Sequence, residues 1–302
     1  MLLNIFRMMD PKDDPVTHAI PFFVLAISIE LYINWKEHLN LYNAKEAAAS
    51  IGMGFGSLVI NVVMKALAFG VYTFIYQYRL FEIGWHWWSW VLILFADDIT
   101  FYVHHRLSHE VRILWAAHVN HHSSETMNLA TALRQSWAEQ LYKYIWWVWL
   151  PLVGFDPLMI LMMMSFSLIY QYWVHTELIK RMPAWFEFIF NTPSHHRVHH
   201  ASNVRYLDQN HAGILIIWDR MFGTFVAERD EEKPIYGITK NIHTYNLFKI
   251  ASHEFVDIWR DVKRAPSFTD KLRYIFYPPG WSHDGPDQTA KTLRRQLAAR
   301  EK

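Results

Sequence analysis

The 302-residue chain has no cysteine. That excludes disulfides, thiolate zinc sites and iron–sulfur clusters. Charge is also scarce: Asp, Glu, Lys and Arg make up 19% of residues, against about 25% in an average soluble domain. The net charge of +1 gives no electrostatic case for a nucleic-acid partner. What the chain has instead is apolar and aromatic side chains, 52% and 17% of residues with 15 Trp, a composition that leans toward a membrane protein.

The apolar residues are gathered into runs. Ala19–Trp35 is interrupted only by Glu30, and Ile51–Tyr76 only by Lys65, so these two charges either pair or reach the interface. Trp85–Val103 is rich in Trp and contains Asp97 and Asp98. Each run meets or nearly meets the roughly 20 residues a spanning helix needs. The run Leu141–Trp173 is broken by Gly154, Asp156 and Pro157, which predicts two short helices forming a membrane hairpin that returns to the side it left. The polar stretches 104–139 and 174–302 then share one face. Its excess of Lys and Arg predicts the cytoplasm. Met1–Asp14 contains acids and a Pro, and no small-residue cleavage motif follows, so no removable signal peptide is expected. This reading divides the chain into transmembrane helices at 1–103, a histidine-bearing domain at 104–225 with the hairpin at 141–173, and a cytoplasmic extension at 226–302. The fold class is all-α, an integral multi-pass membrane protein with a histidine-rich metal cap.

Of 18 His, most lie in a few short stretches. Residues three and four apart share a helix face. His105 and His109 are such a pair; His118, His121 and His122 form a triple, and His196, His199 and His200 repeat it. His175 adds one imidazole from the hairpin's end. Each cluster is expected to aim two or three rings at one point. His195 and His199 are also four apart, so spacing alone leaves the register of the last cluster open, while His104 points about 100° away from His105. Nine imidazoles exceed the needs of one ion and suit two with open positions. Imidazole binds iron, zinc and copper, with zinc the nearest rival on affinity. No Glu stands three residues before a clustered His, which excludes the carboxylate di-iron bundle. The runs themselves are nearly free of His, which argues against a bis-His haem and against a mid-membrane transport site.

The stretches LWAAHVNHHSSETMNLATALRQS at 114–136 and NTPSHHRVHHASN at 191–203, extended by NHAGILIIWDRMFGTF at 210–225 and YPPGWSHDG at 277–285, resemble the membrane fatty acid hydroxylase and sterol desaturase superfamily, and within it the glyceryl-ether monooxygenase branch. The resemblance implies an O2-dependent di-iron monooxygenase drawing a lipid from the bilayer. It implies metal ligands at His105, His109, His118, His121, His122, His175, His196, His199 and His200. It also implies tetrahydrobiopterin as reductant and the ether-bearing carbon of an alkylglycerol as target. A sterol or fatty acyl desaturase or hydroxylase with the same metals is the alternative. Gln171 stands where some members have another His, and His211 where the branch has Tyr. Both are candidate ligand or substrate-pocket residues.

Metal-bound His usually donates its other nitrogen to a carboxylate or carbonyl. Asp98, two helical turns before His105, is a candidate partner, as are Glu110, Glu125, Asn128, Glu177 and Asp208. Arg134 and Arg197 are read as binding a lipid headgroup, stabilising a carboxylate, or simply as positive charge on the cytoplasmic face.

Overall fold

A computed structural model describes residues 14–301; apart from Asp14, the segment read as carrying no removable signal lies outside the described residues. Helix α1 (Pro15–Lys36) starts where Asp14 accepts from the Val16 amide at 3.0 Å, with Pro15 in the first turn, a position where its missing N–H costs nothing. Helix α2 (Ala44–Tyr76) is capped by Asn43. Both helices are long and apolar enough to cross a membrane, and large side chains such as Phe22 and Phe55, each 70% exposed, point away from the protein.

Helix α3 (Trp87–Glu110) runs without a break from the Trp-rich segment into the first histidines. Helix α4 (Arg112–His122) follows at once. Helix α5 (Trp137–Gln140) is one turn. It leads through a 3-10 turn at Lys143–Trp147 into α6 (Trp149–Val153), and Gly154 in a positive-φ turn precedes α7 (Pro157–Trp173). The predicted hairpin thus has one proper helical limb, α7. The first limb is broken because Pro151 supplies no amide and the indoles of Trp147 and Trp149 anchor it sideways to Asp97 and Thr100, at 2.7 and 3.1 Å. Short helices α8 (Ala184–Ile189), α9 (Pro193–His199) and α10 (Ile217–Phe222) follow. The chain then continues into α11 (Leu247–Arg264), α12 (Phe268–Phe276) and α13 (Ala290–Arg300). The only β structure among the described residues is two isolated bridges, Phe190–Leu215 and Ala201–Tyr236.

The apolar core joins α2, α3, the broken limb and α7 through Tyr72, Ile93, Leu150 and Met159. The loop after α4 packs tightly on α2: a Cβ at Gly54 would lie 2.5 Å from the Leu133 carbonyl, so only glycine admits that approach. Glu30 and Lys65 do not pair. Glu30, 1% exposed, accepts from Tyr42 and from the Leu129 amide at 2.7 Å, and also from Thr176, the residue after His175. Lys65 pairs with Asp14 and donates to Ser165 at 2.9 Å. A carboxylate on a helix of membrane-crossing length therefore helps hold the polar cap in place.

Candidate metal centre

Nine histidines converge in two adjacent groups. His105, His109, His118, His122 and His199 form one, and His121, His175, His196 and His200 the other; within each, one nitrogen per ring lies within 4.8 Å of the rest. All nine are buried. The triples do not act as units, contrary to the expectation from spacing. In α4, His118 and His122 serve the first group and His121 the second; at the end of α9, His196 and His200 serve the second and His199 the first. Helix geometry explains the split. Residues i and i+4 differ by about 40° around the axis, whereas i+3 and i+4 differ by about 100°, so each triple straddles two centres. The stacked rings of His122 and His200, 4.4 Å apart, lie where the groups meet.

Six of the nine rings have their outward nitrogen held by an acceptor. Nδ1 of His105 donates to the His211 carbonyl at 2.8 Å, His121 to Arg134 O at 3.2 Å, His175 to Gln171 O at 2.8 Å and His199 to Gln209 O at 3.0 Å. His118 donates to Glu139 at 3.1 Å, and His109 reaches Asp208 at 3.4 Å. A carbonyl can only accept, so Nδ1 carries the proton and, in a neutral ring, Nε2 carries a lone pair. Yet Nε2 of His105 lies 3.0 Å from Nε2 of His118, and Nε2 of His121 lies 3.2 Å from Nε2 of His175. Nε2 of His109 and of His199 is buried with no partner at all. Lone pairs facing each other at this range repel unless a cation sits between them. Protons do not fill that role: burial and the neighbouring imidazoles hold His105, His109, His121, His122, His196, His199 and His200 well below the usual value, and burial lowers His175 to about 4. The donor set fits metal ions.

Acid should therefore dismantle the cluster. These eight folded rings titrate below the unfolded value near 6.5, so the unfolded chain binds more protons as pH falls past that point and stability declines with it. Thermal midpoint and bound metal measured from pH 8 to pH 5 should be level above about 7 and fall together below about 6.5. A midpoint that rises on acidification would contradict the neutral cluster.

The carboxylates sort differently from the sequence reading. Asp208 meets His109. Asp98 touches no clustered ring; it accepts from the amides of Ile214 and Leu215 at 2.7 and 2.9 Å and from Trp218. It thereby fixes the segment whose His211 carbonyl orients His105. Asp219, which the sequence reading missed, accepts from the amides of His211 and Ala212, both at 2.8 Å. Glu110 pairs with Arg106, Glu125 with His243 and Glu177 with Lys180 and Tyr236, while Asn128 bonds Leu41 O and caps the following turn. None of these four meets a clustered histidine. Gln171 contributes its carbonyl to His175 and its side chain to Ser167. His211 is fully buried, its ring centroid 5.0 Å from that of His109, with both ring nitrogens unpartnered. Arg134 is fully buried and pairs with Glu46 at 2.8 Å.

Glu139 was also missed. Burial alone would raise its carboxyl, but the His118 hydrogen bond and nearby positive charge bring it down to about 2. It stays ionised and fixes the His118 ring. Glu139→Gln should weaken metal binding or turnover by about 10–100-fold, the range for such outer partners, with the thermal midpoint of the metal-free protein little changed. Metal titration alongside turnover checks this; equal affinity in the variant would remove Glu139 from the site.

Residues 90–224, which carry all nine histidines, match the fatty acid hydroxylase family. Across nearly its whole length, the chain is similar to alkylglycerol monooxygenases: 38% identical over 283 residues to that of Xenopus tropicalis and 39% over 290 to that of Homo sapiens, covering 93% of this chain and 63% of each relative. The chain thus spans under two thirds of the length of these relatives. It is 28% identical over 208 residues to the ornithine lipid hydroxylase OlsE of Rhizobium tropici, covering 68% of this chain and 60% of that protein. No solved structure matches the chain.

Proposed function

We propose that the protein is a membrane-bound, O2-dependent monooxygenase that holds two iron ions and hydroxylates a lipid C–H bond, with the ether-bearing carbon of an alkylglycerol as the leading target. The observation that carries this reading is the pairing of lone-pair nitrogens in two adjacent, buried all-imidazole groups. His105, His109, His118, His122 and His199 would hold one ion, and His121, His175, His196 and His200 the other. Iron bound there supplies the reductive activation of O2 that attack on an unactivated C–H bond requires.

The protein's own contribution is placement and exclusion of water. Glu139 and Asp208 fix the rings of His118 and His109. Asp98 and Asp219 grip the 211–215 backbone from two sides. Hydroxylation of the ether carbon consumes O2, two electrons and two protons, inserting one oxygen atom and releasing the other as water. The resulting hemiacetal separates into a fatty aldehyde and a glycerol. The electrons come from an external donor, for which tetrahydrobiopterin is the first candidate on the likeness to alkylglycerol monooxygenases.

Residues 1–103 are read as the membrane anchor, 104–225 as the catalytic domain with its hairpin at 141–173, and 226–302 as an extension on the same face. The excess of Lys and Arg on the polar stretches supports a cytoplasmic face for the metal site. A second reading, hydroxylation of another polar lipid, is supported by the similarity to the ornithine lipid hydroxylase.

The test is anaerobic purification with ferrous iron, then turnover with alkylglycerol, tetrahydrobiopterin and O2. Fatty aldehyde that disappears in the His121→Ala variant supports the ether-lipid reading. Two irons with O2 consumed only on another lipid would keep the oxygenase and move the substrate. Failure to bind a metal pair would remove the central claim.

A further inference from the structure

Helices α11 and α12 carry large apolar side chains on their outward faces as well as burying Ile250, Ile258 and Tyr274 inward. Their inner face receives Arg112, the first residue of α4: Nε donates to Glu254 and Nη1 to Asp261, both at 2.7 Å, and the guanidinium lies over the Tyr274 ring at 5.7 Å. The outer faces are apolar. Phe248, Val256 and Trp259 on α11 are 74%, 40% and 60% exposed, and Phe268, Leu272 and Phe276 on α12 are 74%, 40% and 55% exposed. Their spacings of eight and eleven, and of four and eight, draw one stripe along each helix. Ordinary surface helices keep such side chains inside, and folded proteins rarely leave so large an apolar surface to water.

The surroundings indicate what covers this face. Helix α11 starts against the N-terminal part of α2, where Ile250 clusters with Ala49 and Met53 and the Phe248 ring packs on Trp137 at 5.7 Å. Ile51 and Phe55, on the same end of α2, are 52% and 70% exposed, so Phe248 prolongs the outer apolar surface of a membrane-length helix. Outward charge is mostly positive. Lys249, Arg260, Lys263, Arg264 and Lys271 are exposed, while Glu254 and Asp261 are tied to Arg112 and Asp257 pairs with Arg260 at 3.1 Å. Lys263 sits over the Trp259 ring at 4.7 Å. Aromatic anchors among basic side chains, on a helix with a strong apolar face, match the headgroup boundary of a bilayer.

We propose that α11 and α12 lie in the boundary layer of a bilayer bearing anionic headgroups and, through Arg112, set the height of α4 and its histidines above the acyl chains. The inference rests on α1 and α2 spanning the membrane. It adds a second attachment that bears directly on a ligand helix and on how deep a lipid must reach.

The absence of cysteine makes the test direct. Single cysteines at Val63, Val256, Leu272 and Ala299 carry a nitroxide in proteoliposomes of phosphatidylcholine and phosphatidylglycerol, and collision with O2 is compared with collision with a water-soluble nickel chelate. Val63 on α2 is 59% exposed on its apolar face and Ala299 is exposed on the tail helix. The O2-to-chelate ratio at Val256 and Leu272 should exceed that at Ala299 several-fold and remain below that at Val63. Replacing phosphatidylglycerol by phosphatidylcholine should lower it at Val256 and leave Val63 unchanged; no change at Val256 would remove the anionic component. Labels that follow Ala299, or that meet neither reagent because protein covers them, overturn the proposal while Val63 still reports lipid. Chelate access at Val63 would instead remove the spanning reading and the proposal with it.

Discussion

If the site holds two irons as proposed, alanine at His121 should strip the second group of one of its four imidazoles, lower iron from about two per chain toward one, and reduce the proposed lipid hydroxylation by more than the roughly 100-fold upper range for an outer partner of a ligand. Alanine at His109 takes one of five from the first group. That group keeps four imidazoles, so it should retain metal better while still losing turnover. The asymmetry distinguishes two centres from one. A single shared ion would be lost equally from both variants. Iron content and turnover measured on the same preparations decide between these patterns, and a His121→Ala protein with two tightly held irons would show that the grouping is wrong. Removing His121 also relieves Nε2 of His175 of its opposed lone pair, so the metal-free His121→Ala protein should be no less stable than the metal-free parent.

The site was legible in the sequence to the extent that local geometry determines it. Spacings of three and four fix which imidazoles share a helix face, and clustering of His in few stretches reflects ligands that must converge. Which ion each imidazole serves was not legible, because the 100° between His121 and His122 matters only once α9 is docked opposite. The supporting carboxylates were harder still. Glu139 sits at the third position of a one-turn helix capped by Ser136, a pattern that reads as a capping box, whereas its carboxylate is turned to His118. Asp98 was noticed for its depth in an apolar run, yet its partners are amides more than a hundred residues away. Glu125 and Glu177 lie beside histidines in sequence but turn to other partners. Tertiary docking, which has no period, decides such cases. The broken first limb of the hairpin has the same origin: an apolar run reports burial, while the indole contacts that keep it from being helical come from α3.

Methionine at Arg197 should cost about 3–5 kcal/mol, the range for breaking a buried ion pair from one side, and lower the thermal midpoint by roughly 10 °C at about 2–4 °C per kcal/mol. Arg197 is 1% exposed within α9, between His196 and His199. Its guanidinium holds Glu228 at 2.7 Å and the carbonyls of Thr176, Ile179 and Lys180 at 3.0, 2.7 and 2.6 Å. These three carbonyls belong to the loop leaving His175, so one side chain joins the ligand helix to the chain that presents the lone imidazole. Arg134 plays the matching part for α4, donating to Asn120 O and Ser123 Oγ at 3.1 Å each while paired with Glu46. Lysine cannot replace either, because a point charge does not reproduce the planar fork; Arg197→Lys should recover less than half of the loss. Removing the orphaned acid as well, in Arg197→Met with Glu228→Leu, should restore more than lysine does, since much of the cost lies in the carboxylate left buried. In Arg197→Met the second metal group should also loosen before the first, because both His175 and His196 depend on this tie, and metal release followed during heating would show one ion leaving ahead of the other. A midpoint within about 2 °C of the parent would mean that the tie contributes little and that His175 is held by Gln171 O and Glu30 instead.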